Sequence, residues 1–336
     1  MIRGVFATIF LGWLVFPVAA APVDAAKINN AEFRAQPANK KPTAKNKIDP
    51  VIVKAEVLLA RALFSPGEID GKLGENAQKA LKAFAEAKGL PSGKPLTPEI
   101  WKTLTGTNTE PVITEYTISE KDVKGPFLKK LPAKMEDMKS IKALSYTSPR
   151  EAIAEKFHMS EELLVALNPG KKFTQPGAII FVTNVPDQIT LTVDRIEVDK
   201  SGQTVRAFDP SGALVAFFPA TVGSEEKPTP TGTLKVVSVH ANPTYRYNPD
   251  YKFKGVKSRK PFTIAPGPNN PAGSFWIGLS AEGYGIHGTS NPSQISKSES
   301  HGCIRLTNWD ARLLGTNVKK ETPVVFVGEP QDSAKS

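Results

Sequence analysis

The chain has 336 residues, enough for two or three domains, and 40% of them are hydrophobic, which excludes a largely disordered protein. Its formal net charge of +10 suits solubility and attraction to anionic envelopes; without a zinc knuckle, a basic heptad region or an aromatic RNA-binding motif it does not point to nucleic acid. A single cysteine excludes an internal disulfide and leaves a buried bystander, an intermolecular link or a reactive thiol.

Residues 1–20 have the pattern of an export signal. Arg3 gives the positive start, an apolar run from Val5 to Val18 is too short to span a bilayer comfortably, and Val18-Ala19-Ala20 offers a small-residue cleavage site. The mature chain is expected to begin near Ala21 and to keep no stable membrane anchor. Residues 21–50 are rich in Ala, Asn, Pro and Lys, with few large apolar side chains, and are expected to be a disordered linker.

Over residues 51–106 the periodicity is helical. Ala55, Leu58, Leu59 and Ala62 fall at i, i+3, i+4 and i+7, and Ala77, Ala80, Leu81 and Phe84 repeat the spacing. A glycine-rich turn, Ser65 to Gly74, separates them, and Thr97-Pro98 opens a third helix as cap and first position. The Pro-Gly-x-Ile-Asp-Gly-x-x-Gly turn, the Ala-Leu-x-x-Phe helix and Trp101-x-x-Leu104 resemble the small three-helix peptidoglycan-binding module, although Ala85 stands where that family usually has Gln.

Residues 115–186 predict a strand at Tyr116 to Ile118, a helix after Ser148-Pro149-Arg150-Glu151, a second helix capped by Ser160 and ending at Asn168-Pro169-Gly170, and a closing strand from Ile179 to Val182. This α+β order resembles a LysM domain, a glycan-binding module. The departure is a long insertion, with Gly125-Pro126 and many lysines, between the first strand and the first helix.

From residue 188 to 328 the texture is β. Ile189, Leu191 and Val193 alternate with polar residues, Asp199 to Gly202 and Asp209 to Gly212 are turn clusters, and Leu214 to Phe218 is a strongly apolar strand. Short strands at close intervals predict a sandwich or barrel, with one helix after Thr307-Asn308, and residues 329–336 form a tail. The expected fold class is therefore multidomain: a small three-helix module, an α+β LysM-like module and a mostly β C-terminal domain.

Two of the four histidines crowd the only cysteine. Gly285-Ile286-His287-Gly288-Thr289 precedes Ser300-His301-Gly302-Cys303-Ile304-Arg305-Leu306, with His287 sixteen residues before Cys303. A buried Cys beside two histidines by chance is one reading. A zinc site of His287, His301 and Cys303 is another, without a fourth Cys or a Cys-x-x-Cys pair to support it. A catalytic Cys-His pair is the third, since an imidazole lowers a thiol's pKa. Gly288 and Gly302 would let backbone approach a substrate, and N–H groups beside Cys303 would face an oxyanion. Either His287 or His301 can serve as the base on these grounds.

The Ser-His-Gly-Cys-Ile-Arg run with the upstream His287-Gly288-Thr289 resembles the signature of the L,D-transpeptidase catalytic domain. Pro228 to Gly232, Trp276 to Leu279 and Asn308-x-Asp310 support the match over roughly residues 189 to 328. The resemblance implies a wall-facing or periplasmic enzyme, without metal or cofactor, in which Cys303 attacks the meso-diaminopimelate carbonyl of a tetrapeptide stem. D-Alanine leaves, and an amine of a neighbouring stem or of an envelope protein resolves the thioester. His287 would be the base, oriented by the Gly288 carbonyl. His301, Ser300 and Gly302 would shape the pocket, with Tyr284 and Trp276 as walls. Arg305 suits a substrate carboxylate through its forked guanidinium. Hydrolysis to a tripeptide, or a wall-binding scaffold with an idle site, are the alternatives. The expected partners are stem peptides and glycan, not nucleic acid.

Overall fold

The computed structural model describes residues 23–35, 47–106, 109–186, 188–223, 228–251, 256–298, 300 and 302–329. The expected export signal and most of the tail lie outside them. Among the described residues no helix is long and apolar enough to cross a membrane.

The expected linker departs from its description. Residues 23–35 carry a short helix, α1 (Ala25–Asn29), capped by Asp24, whose carboxylate accepts the Ala26 N–H at 2.8 Å. Ile28 is fully buried, and the Asn29 amide exchanges two hydrogen bonds with the Ile113 backbone, at 2.8 and 3.0 Å. A count of large apolar residues missed this because much of the docking is polar: besides Ile28 and the Asn29 amide, Lys54 Nζ donates to the Asn29 and Ala31 carbonyls at 3.0 and 2.8 Å.

Next come α2 (Pro50–Arg61), α3 (Glu75–Ala87) and α4 (Pro98–Thr105). Asp49 caps α2 with Pro50 at its first position, and Thr97 with Pro98 repeats the device in α4. The apolar stripes face inward: Ala55, Leu58, Leu59, Ala77, Ala80, Leu81 and Phe84 are all buried. The turn between α2 and α3 is tied down by Glu56, a buried carboxylate that accepts the Gly71 N–H at 2.8 Å. Gly71 has φ +72° and no room for a side chain, since a Cβ there would lie 2.7 Å from Val53 and 2.8 Å from Ile48.

The middle stretch contains β1 (Ile113–Thr117), α5 (Glu120–Lys124), α6 (Met135–Met138), α7 (Pro149–Lys156), α8 (Glu161–Leu167) and β2 (Ile179–Thr183). β1 and β2 pair antiparallel, from Ile113↔Thr183 to Thr117↔Ile179. Ser148 and Ser160 cap α7 and α8. One continuous buried cluster joins this unit to the preceding helices, through residues such as Leu58, Leu81, Ile113, Leu163 and Ile180.

The C-terminal part is mostly β: β3 (Arg195–Asp199), β4 (Thr204–Phe208), β5 (Leu214–Pro219), β6 (Gly232–Ala241), β7 (Tyr245–Tyr247), β8 (Phe262–Ile264), β9 (Phe275–Leu279), β10 (Gly285–His287), β11 (Ile304–Arg305), α9 (Asn308–Asn317) and β12 (Pro323–Val327). Eight strands form one mixed sheet in the order β11-β10-β9-β6-β12-β3-β4-β5, and β7 with β8 make a separate hairpin. The sheet curls. Thr221, just past β5, and Arg305 of the opposite edge strand exchange two backbone hydrogen bonds of 2.9 Å. Of the two expected forms, the barrel-like one is present. The strand expected at residues 189–193 is absent. There Asn317 does the work of a neighbouring strand: its amide accepts the Leu191 N–H at 2.6 Å and donates to the Ile189 carbonyl at 2.9 Å.

Alternation along β5 joins the two halves. Phe218 points into the curled sheet's core with Ile277, Ile304 and Leu314, whereas Phe217 points out into the core of the N-terminal half. Backbone bonds Ser65 N–Phe217 O (2.8 Å) and Phe217 N–Leu63 O (2.9 Å) fasten the contact.

Candidate active site

β10 lies between β9 and β11. It pairs parallel with β11, with His287 opposite Arg305, and antiparallel with β9, with His287 opposite Trp276. Ile286 and Ile304 are fully buried in the sheet's core, so strand alternation turns His287 and Arg305 to the other face, with Cys303 directly before β11. The Trp276 ring stacks on the imidazole, with centroids 5.4 Å apart and planes 17° apart.

Cys303 is a half-buried thiol, in no disulfide, whose Sγ donates to the Gly283 carbonyl at 3.5 Å. The loop before it is strapped from two sides. The Ser300 hydroxyl accepts the Gly302 N–H at 3.2 Å and donates to the Cys303 carbonyl. The Thr229 hydroxyl donates to the Gly302 carbonyl at 3.2 Å and accepts the Gly223 N–H at 2.7 Å. Gly302 itself has φ +99°, a conformation that side chains disfavour. Its N–H is donated to the Ser300 hydroxyl.

His287 Nδ1 lies 2.7 Å from the Gly288 carbonyl oxygen. A carbonyl only accepts, so Nδ1 carries the proton and Nε2 keeps its lone pair. The imidazole's pKa is pushed down to about 4, first by burial and then by the Arg305 charge, with the Gly288 carbonyl acting in the opposite direction. The ring is therefore neutral and able to accept a proton at neutral pH. Burial pulls the Arg305 guanidinium below its usual range, while attraction to Cys303 and Tyr245 pulls it back. That attraction is reciprocal, so Arg305 favours the Cys303 thiolate.

The other expected site residues divide. Trp276 and Tyr284 are half-buried beside the histidine strand, with the Tyr284 carbonyl closing the β9–β10 turn on Leu279 N–H at 3.1 Å. Ser300 is 2% exposed and its hydroxyl serves the loop's own backbone. His301 lies outside the described residues. Among the described residues no group of three or more His, Cys, Asp or Glu could hold a metal.

Gly288 is glycine for a reason the sequence did not give. A Cβ on it would sit 2.1 Å from Asn308 Oδ1, so the close approach is by Asn308 rather than by substrate. Thr307 caps α9, accepting the Asp310 N–H at 3.2 Å. The Asp310 carboxylate takes the Ser65 hydroxyl at 2.8 Å, an interaction across 245 residues of chain. Thr229 and Asn308 are the functional side chains whose roles went unseen. Both stand in segments that marked the resemblance, Pro228 to Gly232 and Asn308-x-Asp310. A cavity of about 860 Å³ lies apart from Cys303, between the 118–148 segment, α7 and α9, and is lined by residues that include Tyr146, Glu155, His158 and Arg312.

A family model described as the L,D-transpeptidase catalytic domain, YkuD, matches residues 193–326. A Bacillus licheniformis protein bearing the name L,D-transpeptidase YkuD is 32% identical over 176 residues, which cover 52% of this chain and 90% of that protein. The chain belongs to the L,D-transpeptidase family. The Escherichia coli protein bearing the name L,D-transpeptidase YbiS is 32% identical over 193 residues, 55% of this chain and 61% of its own length. Among solved structures, L,D-transpeptidase 3 from Mycobacterium tuberculosis is similar at 16% identity and a TM-score of 0.33, over 46% of this chain and 76% of that one. The family match covers β3 to β12, with the Cys303 loop and the His287 strand inside it.

Proposed function

We propose that this L,D-transpeptidase uses Cys303 as its nucleophile and His287 as its base on peptidoglycan stem peptides. His287 Nε2 takes the thiol proton as Sγ bonds to the meso-diaminopimelate carbonyl carbon of a tetrapeptide stem. The tetrahedral intermediate collapses, the peptide bond to D-alanine breaks, and His287 returns the proton to the leaving amine. An acceptor amine then attacks the thioester, gives its proton to His287 and frees the thiolate for reprotonation. The product is a 3-3 cross-link, or a protein-to-wall link when the amine belongs to an envelope protein.

The observation that carries this reading is the fixed tautomer of a neutral, buried His287 on the strand paired with the one that follows Cys303. The Arg305 guanidinium supports it twice, by favouring the thiolate and by offering a fork to a substrate carboxylate. The leader pattern at residues 1–20 supports export to the wall, and the helical and strand–helix–helix–strand units, similar to wall-binding and LysM modules, support retention there. Incubation with a purified disaccharide-tetrapeptide, followed by mass spectrometry, tests the reading. Cross-linked dimers and free D-alanine are expected. Tripeptide alone would make the protein a carboxypeptidase, and unchanged tetrapeptide would leave a scaffold.

A further inference from the structure

Asn308, the first residue of α9, is 1% exposed and stands between the two halves of the molecule. Its Oδ1 accepts the Ser274 N–H at 2.9 Å. The same oxygen lies against two glycines, Gly288 and Gly273, where a Cβ would come within 2.1 and 2.2 Å of it. Ser274 leads into β9, and the Phe275 carbonyl accepts the Gly288 N–H at 3.1 Å. The amide is thus wedged between the turn before β9 and the residue whose carbonyl holds His287 Nδ1.

The other end of the amide points away from the catalytic domain. Asn308 Nδ2 donates to Glu155 Oε1 and Oε2, at 3.0 and 3.1 Å, and to the Pro268 carbonyl at 3.2 Å. Glu155 belongs to α7, in the strand–helix–helix–strand unit, and the Tyr146 hydroxyl holds it at 2.8 Å. One turn earlier, Glu151 Oε1 accepts from Asn269 Nδ2 at 2.8 Å, so α7 holds both the start of α9 and the 265–274 loop. A side-chain amide has one donor end and one acceptor end. Reversed, Asn308 would set its NH2 against the Ser274 N–H and its oxygen against the carboxylate. Glu155 and Ser274 together fix which way it points.

We propose that Glu155 is a positioning residue for the catalytic histidine, acting through Asn308 and Gly288 from outside the catalytic domain. The proposal rests on the reading of His287 and Cys303 given above. It makes docking of the strand–helix–helix–strand unit part of the catalytic arrangement: the base keeps its orientation while α7 sits against α9. Glu155 touches neither the thiol nor the imidazole, and its effect is on how well the pair is held.

The single cysteine makes the test direct, since alkylation by iodoacetamide reports Cys303 alone. Full-length wild type, Glu155→Ala and Glu155→Gln are compared by kcat and KM on the tetrapeptide donor and by alkylation rate across pH. Glu155 lines the large cavity, so truncation opens a hydrated gap rather than a dry one. For Glu155→Ala we expect kcat to fall about tenfold or more at little-changed KM, and the alkylation profile to move toward that of an ordinary thiol. Glu155→Gln keeps an acceptor for Asn308 Nδ2 and should stay within about threefold of wild type. A folded Glu155→Ala with wild-type kcat and alkylation profile overturns the proposal, as does a folded Glu155→Gln as impaired as the alanine variant. If Glu155→Ala does not fold, Asn308→Ser replaces it, with the same loss expected and an unchanged kcat and profile again contradicting. A wild type with no donor turnover and an ordinary thiol profile would instead sink the catalytic reading itself.

Discussion

At His287, burial and the Arg305 charge act in the same direction, and both disfavour the imidazolium. A base held near pKa 4 has little affinity for a proton, but it is almost fully available to accept one at pH 7. With substrate absent, the sign is simple: protonation of His287 removes the base, and it occurs near pH 4 rather than near the ordinary value of about 6.5. Acylation by the donor should therefore hold from pH 7 to about 5 and fall as pH approaches 4. Stopped-flow or quenched measurements showing a fall centred on 6.5 would contradict this. Gly288→Ala forces a methyl into Asn308 Oδ1, and should cut acylation at least about tenfold with the fold retained. Unchanged acylation would mean that the contact does not hold the base. Cys303, His287 and Gly288 were legible because they lie in two short runs only sixteen residues apart. Thr229 was not legible as a support of Gly302, because that bond crosses 73 residues, and nothing local marks its hydroxyl as bonded.

Among the elements, α9 shows how a helix start can serve two masters. Its start was readable at Thr307-Asn308, and of the two Thr307 is the cap, accepting the Asp310 N–H. The partner of the Asp310 carboxylate was not readable, since Ser65 reaches it from the far half of the chain. Burial pushes the Asp310 carboxyl up to about 7, against hydrogen bonds from Thr307 and Ser65. The folded protein then holds a proton that the unfolded chain releases above about pH 4. Stability is lost as pH rises through this window to about 7. Asp310→Asn cannot ionise, so urea titrations should show the variant gaining on wild type between pH 5 and pH 8, and parallel pH dependences would contradict this. The missing strand at 189–193 teaches a related lesson. Its alternation was real, but Asn317, across more than a hundred residues, satisfies the backbone that a ladder would have taken. Periodicity reports which side chains face a core, and it does not report who pairs the backbone.

For the molecule as a whole, the helices and strands of the N-terminal half were written plainly in caps and apolar spacing, whereas their docking was not. α1 and the α2–α4 helices share a core with the strand–helix–helix–strand unit, and Phe217 of the catalytic sheet completes it. A sequence read module by module assigns each stripe to its own module and leaves no reason for Phe217 to point outward. Phe217→Ala should cost about 3–5 kcal/mol, the scale of a large-to-small core change, in a single cooperative urea transition. A loss below about 1 kcal/mol would show that the halves do not stabilise each other. The tight docking places Glu155 beside Asn308, and so links the non-catalytic half to the base. The central claim, that a neutral His287 activates Cys303 for acyl transfer, is tested most directly by intact-protein mass spectrometry after acid quench with a tetrapeptide donor and no acceptor. Wild type should gain one acyl-tripeptide mass with loss of D-alanine, Cys303→Ala should gain none, and His287→Ala should acylate at least about a hundredfold more slowly. An adduct on Cys303→Ala, or an undiminished rate in His287→Ala, would contradict the account.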